Sequence, residues 1–267
     1  MTTTTTATGA VVDFIQSARF ADLPGEAIAI AKRCIVDGLG VMLAGSTQDA
    51  GRILYDHVQG SDPRTDATVF GPRPFKTGAA AAALVNGTSG HALDWDDTQL
   101  ATSADRIFGL LTHPTVPPLV AALAAGEPRR ISGTQFLEAF LTGFEVECKI
   151  AEAIHPNHYK KGFHSSGTVG TFGAAVAAAK LLGLDAAQPA HMLAIAASSA
   201  ATTPFCAARP TCSGFVMLPK LTRMPEAELA VIASMCAVCA ASRPSSLPAA
   251  TAAPNVPTVP DVWKPFL

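Results

Sequence analysis

Charged side chains are scarce in this chain. Lys, Arg, Asp and Glu make up only 15% of its 267 residues, and the formal net charge at pH 7 is −2. No block rich in Lys and Arg occurs, which excludes the electrostatic footprint of a nucleic-acid-binding protein or of a protein drawn to anionic membranes. We therefore expect neither nucleic acid nor membrane as a partner. Any anionic ligand must be held by a few local cations and by backbone N–H groups.

The sequence also lacks a disulfide framework, a secretory leader and an evident membrane span. Six cysteines in a chain of 267 residues do not make a disulfide scaffold. Met1 is followed by threonines rather than by a charged segment and an apolar one. The apolar stretches are rich in Ala and are either interrupted by Ser, Thr and Pro or too short to cross a bilayer. These features predict a cytoplasmic location with reduced thiols.

Apolar residues recur at helical spacing over most of the chain, which predicts an all-α fold. A strand-like pattern occurs only at 67–70, too little for a sheet. Gly167, Gly170 and Gly173 let a neighbouring helix pack very close. The predicted helices cover about 9–20, 24–45, 49–58, 76–94, 114–125, 132–154, 164–182 and 186–199.

The composition changes after about residue 200. Ten of the 20 prolines and four of the six cysteines lie in the last 67 residues. We predict a disordered N-terminus at 1–8, a helical domain at 9–200, a divergent segment with one helix at 201–242, and a disordered tail at 243–267.

The most informative run is His91-Ala-Leu-Asp-Trp-Asp-Asp-Thr98, followed by Thr112-His113-Pro114. These two runs hold three carboxylates, two hydroxyls and two imidazoles, in a surround of Ala, Leu, Val and Gly. Burying an unpaired carboxylate is expensive, so such a cluster usually lies in a cleft where polar groups meet a ligand.

Two parts of this run have alternative interpretations. Asp94 and Thr98 share a face if the stretch is helical, and a carboxylate beside a hydroxyl can orient an imidazole and bond a substrate oxygen. The alternatives are an acidic helix end or a site for a hard cation. His113 precedes Pro114, so we expect it just outside a helix N-terminus, where it can titrate. A lone histidine is more often structural.

A second polar stretch runs from His155 to Gly167. His164 marks a predicted helix N-terminus, and the N–H groups near Ser165, Ser166 and Gly167 would attract a carboxylate. The positive charges of Lys160 and Lys161 would strengthen the attraction of a carboxylate to this helix end. The alternative is ordinary serine capping with solvated lysines. The spacing of the three histidines matches no known metal-ligand pattern.

These motifs together resemble the MmgE/PrpD family, which includes 2-methylcitrate dehydratase and cis-aconitate decarboxylase. The likeness covers roughly residues 8–200. It is carried by 91–98, 112–114, Gly143-x-Glu145, the run from Gly162 to Ala175, and Lys180-Leu-Leu-Gly-Leu184.

The resemblance implies a homodimer with a helical main domain and a smaller α/β lid domain. The active site lies between the two domains and needs no metal or organic cofactor. Family active-site positions fall on Asp94, Thr98, His113 and His164.

Two departures from the family pattern bear on activity. The family's Thr-Lys-Pro-x-His motif is absent, since Ala200 runs into Thr202-Thr-Pro-Phe-Cys. We also expect the chain to lack the lid domain, since the given sequence ends before one could form. We therefore carry two hypotheses. One is a lyase that dehydrates a 2-methylcitrate-type acid or decarboxylates a cis-aconitate-type acid. The other is an inactive truncated fragment that only dimerises. A third hypothesis is a metal-dependent hydrolase built on the Asp and His cluster.

For the lyase, His113 is the expected proton-transfer residue and His164 its partner or a carboxylate ligand. Asp94 would orient an imidazole and Thr98 would bond a substrate oxygen. The backbone N–H groups near Ser165, Ser166 and Gly167 would hold a substrate carboxylate.

Overall fold

A computed structural model describes residues 6–99, 112–155, 157–161, 163–184 and 188–208, with only the backbone described at 160 and 201–208. The helices are α1 Ala7–Ser17, α2 Gly25–Gly45, α3 Asp49–Val58, α4 Ala79–His91, α5 Val116–Gly126, α6 Gly133–Ile154, α7 Asn157–Lys160, α8 Ser165–Leu182 and α9 Gln188–Ala208. Short 3-10 helices span Phe20–Asp22 and Glu127–Arg129. The predicted all-α class is confirmed. Most of the predicted segment 201–242 and all of the tail 243–267 lie outside the described residues.

Among the described residues, the strands form one two-stranded antiparallel sheet. Strand β1, Ala67–Val69, pairs with β2, Phe75–Thr77, with Ala67 opposite Thr77. The Asn86 side chain of α4 accepts from the Phe70 N–H and donates to the Thr68 carbonyl, both at 2.9 Å. The prediction of a helix from residue 76 was therefore wrong at its start. Residues 75–77 pair as a strand, and α4 begins only after Gly78.

Two other helix boundaries differ from the prediction. Helix α5 begins at Val116 rather than at Pro114, because Pro117 and Pro118 occupy the first turn, where the missing proline N–H costs no hydrogen bond. Helix α9 continues to Ala208, past the predicted end at 199.

Helix α8 is the centre of the packing, in contact with α5, α6 and α9. Its alanines from Ala174 to Ala179 are buried. A Cβ atom on Gly143 of α6 would lie 2.4 Å from the Gly173 carbonyl oxygen of α8, so these two backbones meet with no room for a side chain. This approach holds the N-terminus of α8 against the segment that carries His113, whose N–H donates to the Ser166 hydroxyl at 2.8 Å.

Within the part of the chain that the structure describes, none of the helices combines the length and apolar character needed to cross a bilayer.

Candidate active site

The candidate site begins where α4 ends. The helix stops at His91, and Asp94 adopts a left-handed conformation with φ of 55°. Aspartate tolerates this region better than most residues, and it turns the chain out of the helix. The condition under which Asp94 and Thr98 would share a helical face is not met, because the helix ends three residues before Asp94. The turn closes where the Gln99 N–H donates to the Thr112 carbonyl at 2.8 Å.

A buried ion pair between His91 and Asp96 lies at the base of this turn. The Nδ1 atom of His91 is 3.0 Å from both carboxylate oxygens of Asp96, and the two side chains are only 4% and 2% exposed. Burial alone would lower the pKa of His91. The hydrogen bond and charge of Asp96, with the charge of Asp94, outweigh burial and raise that pKa. The pair therefore favours the protonated form of His91 beside a buried carboxylate.

The ring of His113 is oriented by contacts at both of its nitrogens. Nδ1 lies 3.2 Å from the backbone carbonyl of Asp96, and since a carbonyl can only accept, Nδ1 carries a proton. Nε2 lies 3.5 Å from a carboxylate oxygen of Asp94, whose side chain is 68% exposed. Nε2 is therefore the ring nitrogen that faces a carboxylate rather than a backbone carbonyl.

His164 is the N-cap residue of α8. Its Nδ1 accepts a hydrogen bond from the Gly167 N–H at 3.2 Å. Burial, followed by the positive charges of His91 and His113, lowers the pKa of His164 to about 4. At neutral pH the ring is uncharged, and because Nδ1 accepts, the proton sits on Nε2.

The three imidazoles form one group, which we call the histidine cluster (His91, His113 and His164). The His91 ring centroid is 4.8 Å from that of His113 and 5.8 Å from that of His164. The convergence expected of His113 and His164 is therefore present, with His91 between them. Thr98 lies half-buried in the same turn.

The N-terminus of α8 differs from the predicted anion site in one respect. Ser165 and Ser166 are buried, and the Ser166 hydroxyl accepts from the His113 N–H. Gly167, whose N–H was expected to hold a carboxylate, donates that N–H to His164. A substrate carboxylate here would meet His164 before it meets the helix backbone.

Three acidic residues near the cluster were not assigned roles from the sequence. Asp96 forms the pair with His91. Asp97 accepts from the Thr115 hydroxyl at 2.7 Å and the Thr115 N–H at 3.2 Å, and burial, against these bonds, raises its pKa to about 6. Glu147 of α6 is wholly buried and accepts from Thr112. Acids flanked by apolar residues, as in Phe144-Glu-Val-Glu-Cys148, are the sequence signal for such burial.

The same turn contains a set of atoms that could hold a divalent cation. One donor atom each from His91, Asp94, Asp96 and His113 lies within 4.8 Å of the others. Two imidazoles and two carboxylates suit zinc or a similar metal. The 3.0 Å contact between His91 and Asp96 already pairs two of these four groups with each other. A bound cation would have to replace that contact.

Comparison with known proteins identifies the family. Residues 9–213 match the MmgE/PrpD N-terminal domain. The chain belongs to the MmgE/PrpD family. The matched region extends beyond residue 200, where the change in composition had placed the domain boundary.

The curated relatives include decarboxylases. The chain is 34% identical over 191 residues to a cis-aconitate decarboxylase of Homo sapiens, covering 70% of this chain and 38% of the relative. It is also 34% identical over 175 residues to a cis-aconitate decarboxylase of Mus musculus, covering 64% and 34%. A cis-aconitate decarboxylase-like protein of Aspergillus oryzae is 28% identical over 202 residues, covering 72% and 40%. The chain thus spans about two-fifths or less of the length of these relatives.

Proposed function

We propose that this chain contributes the helical-domain part of a lyase active site that decarboxylates a small tricarboxylic acid of the cis-aconitate type. The observation that carries the proposal is the orientation of His113, with Nδ1 bonded to the Asp96 carbonyl and Nε2 facing Asp94 near the surface. Similarity to the decarboxylases supports the choice of substrate class.

In the proposed reaction His113 delivers a proton. The bond between a substrate carbon and one carboxylate breaks, CO₂ leaves, and the electron pair remains on the substrate as a carbanion conjugated with its double bond. The protonated Nε2 of His113 gives its proton to carbon, which completes a dicarboxylate product, and the ring then regains a proton from solvent. The Asp94 carboxylate stabilises the protonated ring before transfer.

His164 and Thr98 bind the remaining carboxylates in this scheme. The neutral His164 ring donates from Nε2, so it holds an anionic oxygen without adding a charge that would have to be desolvated. The Thr98 hydroxyl donates to another substrate oxygen. The helix end at Ser165, Ser166 and Gly167 acts through His164, because the Gly167 N–H donates to the His164 ring and the Ser166 hydroxyl accepts from the His113 N–H.

Charge balance favours a cationic His91. Three carboxylates, Asp94, Asp96 and Asp97, surround a site for an anionic acid. The raised pKa of His91 favours a positive charge that offsets Asp96, and the raised pKa of Asp97 reduces its negative charge near pH 6. These two effects lower the repulsion that a tricarboxylate would otherwise meet.

The rival within the family is dehydration of a 2-methylcitrate-type acid. There a base removes the proton next to a carboxylate, an acid protonates the leaving hydroxyl, and both carbon–hydrogen and carbon–oxygen bonds break. The same His113 and His164 can supply these roles. The names of the curated relatives favour decarboxylation.

Assembly and location form part of the same proposal. A homodimer in the cytoplasm, with a small polycarboxylate as its ligand and no metal or organic cofactor, fits the family resemblance. Sedimentation of the purified chain tests the dimer.

The experiment is turnover of cis-aconitate and of 2-methylcitrate by the purified chain, followed by NMR of the products. We expect a dicarboxylate from cis-aconitate, and we expect His113→Asn to lower kcat by about 100-fold or more, as loss of a general acid does. His57→Asn on the exposed face of α3 is the control and should retain full activity.

Three other outcomes would each overturn part of the proposal. Retained activity in His113→Asn would remove His113 from the mechanism. Zero turnover alongside a cooperative thermal melt would favour an inactive fragment. Loss of activity with EDTA, restored by a divalent metal, would favour the metal-dependent alternative.

A further inference from the structure

Glu147 is a fully buried acid that the proposed mechanism does not use. It lies on α6 with 0% of its surface exposed. One carboxyl oxygen, Oε1, accepts a hydrogen bond from the Thr112 hydroxyl at 2.9 Å. The other, Oε2, has no hydrogen-bond partner among the residues that the structure describes. Leaving a buried polar atom unbonded destabilises the folded state, so this placement needs a physical reason.

The glycines of α8 make the space for this carboxyl group. A Cβ atom on Gly173 would lie 2.4 Å from Oε2 of Glu147, and one on Gly170 would lie 3.5 Å from Oε1. The carboxyl group therefore fills a gap between α6 and α8 that any larger residue on α8 would close. Burial, opposed by the Thr112 hydrogen bond and reinforced by the charge of Asp97, raises the pKa of Glu147 well above its ordinary value.

The partner of Glu147 immediately precedes His113. Thr112 is itself 0% exposed, and its carbonyl accepts from the Gln99 N–H. On the other side of the same peptide bond, the His113 N–H donates to Ser166. Glu147 of α6 thus binds the Thr112 hydroxyl, Ser166 of α8 binds the His113 N–H, and Gln99 in the turn after α4 binds the Thr112 carbonyl.

We propose that Glu147 is a positioning residue, which accepts the Thr112 hydrogen bond and thereby fixes the peptide before His113 and the direction of the His113 ring. The inference rests on the proposed function, because there His113 is the residue that moves the proton. Burial favours the neutral form of Glu147, and in that form it orients Thr112 without adding a fourth negative charge beside Asp94, Asp96 and Asp97.

The test uses two pairs of variants on the purified chain. Thr112→Val removes the donor at constant shape, and Thr112→Ser restores a hydroxyl. Glu147→Met removes the acceptor at similar volume, and Glu147→Gln restores a neutral acceptor. Glu152→Gln, on the same helix and paired with Lys149 at 3.2 Å, is the matched control.

We expect Thr112→Val and Glu147→Met to lower kcat by about 10- to 100-fold, as a small misplacement of a catalytic group does, with KM changed by less than about threefold. Thr112→Ser and Glu147→Gln should stay within about threefold of the parent chain. Because the two residues act through one hydrogen bond, the double variant Thr112→Val with Glu147→Met should be no slower than the worse single variant.

A second measurement needs no turnover. In chain labelled with ¹⁵N-histidine, the ring signals of His113 should move in Thr112→Val and return in Thr112→Ser, without substrate. This separates the inference from the proposed function, because an inactive chain still reports the ring orientation. If Glu147→Met fails to fold, the Thr112 pair carries the test.

Unchanged His113 ring signals in Thr112→Val would overturn the inference. Equal loss of kcat in Glu147→Gln and Glu147→Met would also overturn it, because the isosteric amide keeps the acceptor. Additive losses in the double variant would assign Glu147 and Thr112 to separate roles and would contradict the proposal as well.

Discussion

The Nδ1 atom of His91 lies 3.0 Å from both carboxylate oxygens of Asp96, and neither side chain has more than 4% of its surface exposed. Asp96 also meets the ring of His113 through its backbone carbonyl and its carboxylate, at 3.2 and 3.5 Å to Nδ1. One residue therefore both favours the protonated form of the His91 ring and orients the neighbouring His113 ring.

Replacing Asp96 should cost stability in a pH-dependent way. Asp96→Asn removes the charge that, with Asp94, raises the pKa of His91. We expect the free energy of unfolding to fall by about 1.5–3 kcal/mol at pH 5.5, the usual value of a hydrogen bond to a charged group. A raised folded-state pKa gives stability that is complete below the unfolded value of about 6.5 and lost as pH rises past the folded value.

Urea unfolding at pH 5.5 and pH 9 checks this prediction. The difference between Asp96→Asn and the parent chain should shrink at pH 9. The control is Asp49→Asn, whose carboxylate pairs with Arg52 at 3.5 Å on the surface and should matter little at either pH. A loss that is independent of pH would show that the charge of His91 plays no part.

Glu145 should make the protein less stable at higher pH. Burial, opposed by Lys149 and reinforced by Glu152, raises its pKa to about 7, and its Oε1 lacks a partner within the described ranges. An acid with a raised folded-state pKa favours the unfolded state as pH rises through the interval between about 4.5 and 7, by up to about 3 kcal/mol.

Glu145→Gln removes this titration and should flatten the fall in unfolding free energy across that interval. At pH 8 the variant should be more stable than the parent chain. Asp13→Asn on the exposed face of α1 serves as the control. Denaturation curves at pH 5 and pH 8 measure this change. An equal fall in unfolding free energy between the two pH values for Glu145→Gln and the parent chain would refute the assignment.

His164 should make the protein less stable at acidic pH, whereas Glu145 does so at higher pH. Its pKa of about 4 results first from burial and then from the charges of His91 and His113, against Asp94 and Asp96. A histidine with a lowered folded-state pKa loses stability as pH falls from about 6.5 to 4. We expect about 2 kcal/mol, because the ring keeps some contact with water that screens the effect.

His164→Asn keeps an acceptor for the Gly167 N–H, since asparagine is a good N-cap residue. Thermal melts at pH 7 should change little, while the loss of melting temperature between pH 6.5 and 4.5 should be smaller than in the parent chain. An unchanged acid profile would mean that the ring of His164 is not desolvated.

The close approach of α6 and α8 gives a prediction about packing. Gly143→Ala would place Cβ 2.4 Å from the Gly173 carbonyl oxygen and 3.0 Å from Ala177 Cβ. Overpacking of this kind costs about 1–3 kcal/mol. Gly133→Ala, at the start of the same helix, has no neighbouring atom within 4 Å and is the matched control. Calorimetry should show a lower melting temperature only for Gly143→Ala, and equal melts would contradict the contact.

The sequence predicted the helical class and the convergence of His113 and His164, because apolar periodicity and family motifs are long signals. The pairing of His91 with Asp96 was missed, since it depends on α4 ending at His91 rather than near residue 94. The strand-like pattern at 67–70 was recognised, but strand β2 was not, because a run of three paired residues is too short to show a periodicity. Glu147 escaped notice because its burial depends on two glycines that lie more than 20 residues away along the chain.

The histidine cluster as a binding site for a small tri-acid is the central claim, and one NMR titration tests it most directly. Cis-aconitate is added to the chain labelled with ¹⁵N-histidine. We predict saturable shifts in the ring signals of His91, His113 and His164, with no change at the exposed His57 and His191. No shift in the cluster, or equal shifts at all of these histidines, would contradict the account.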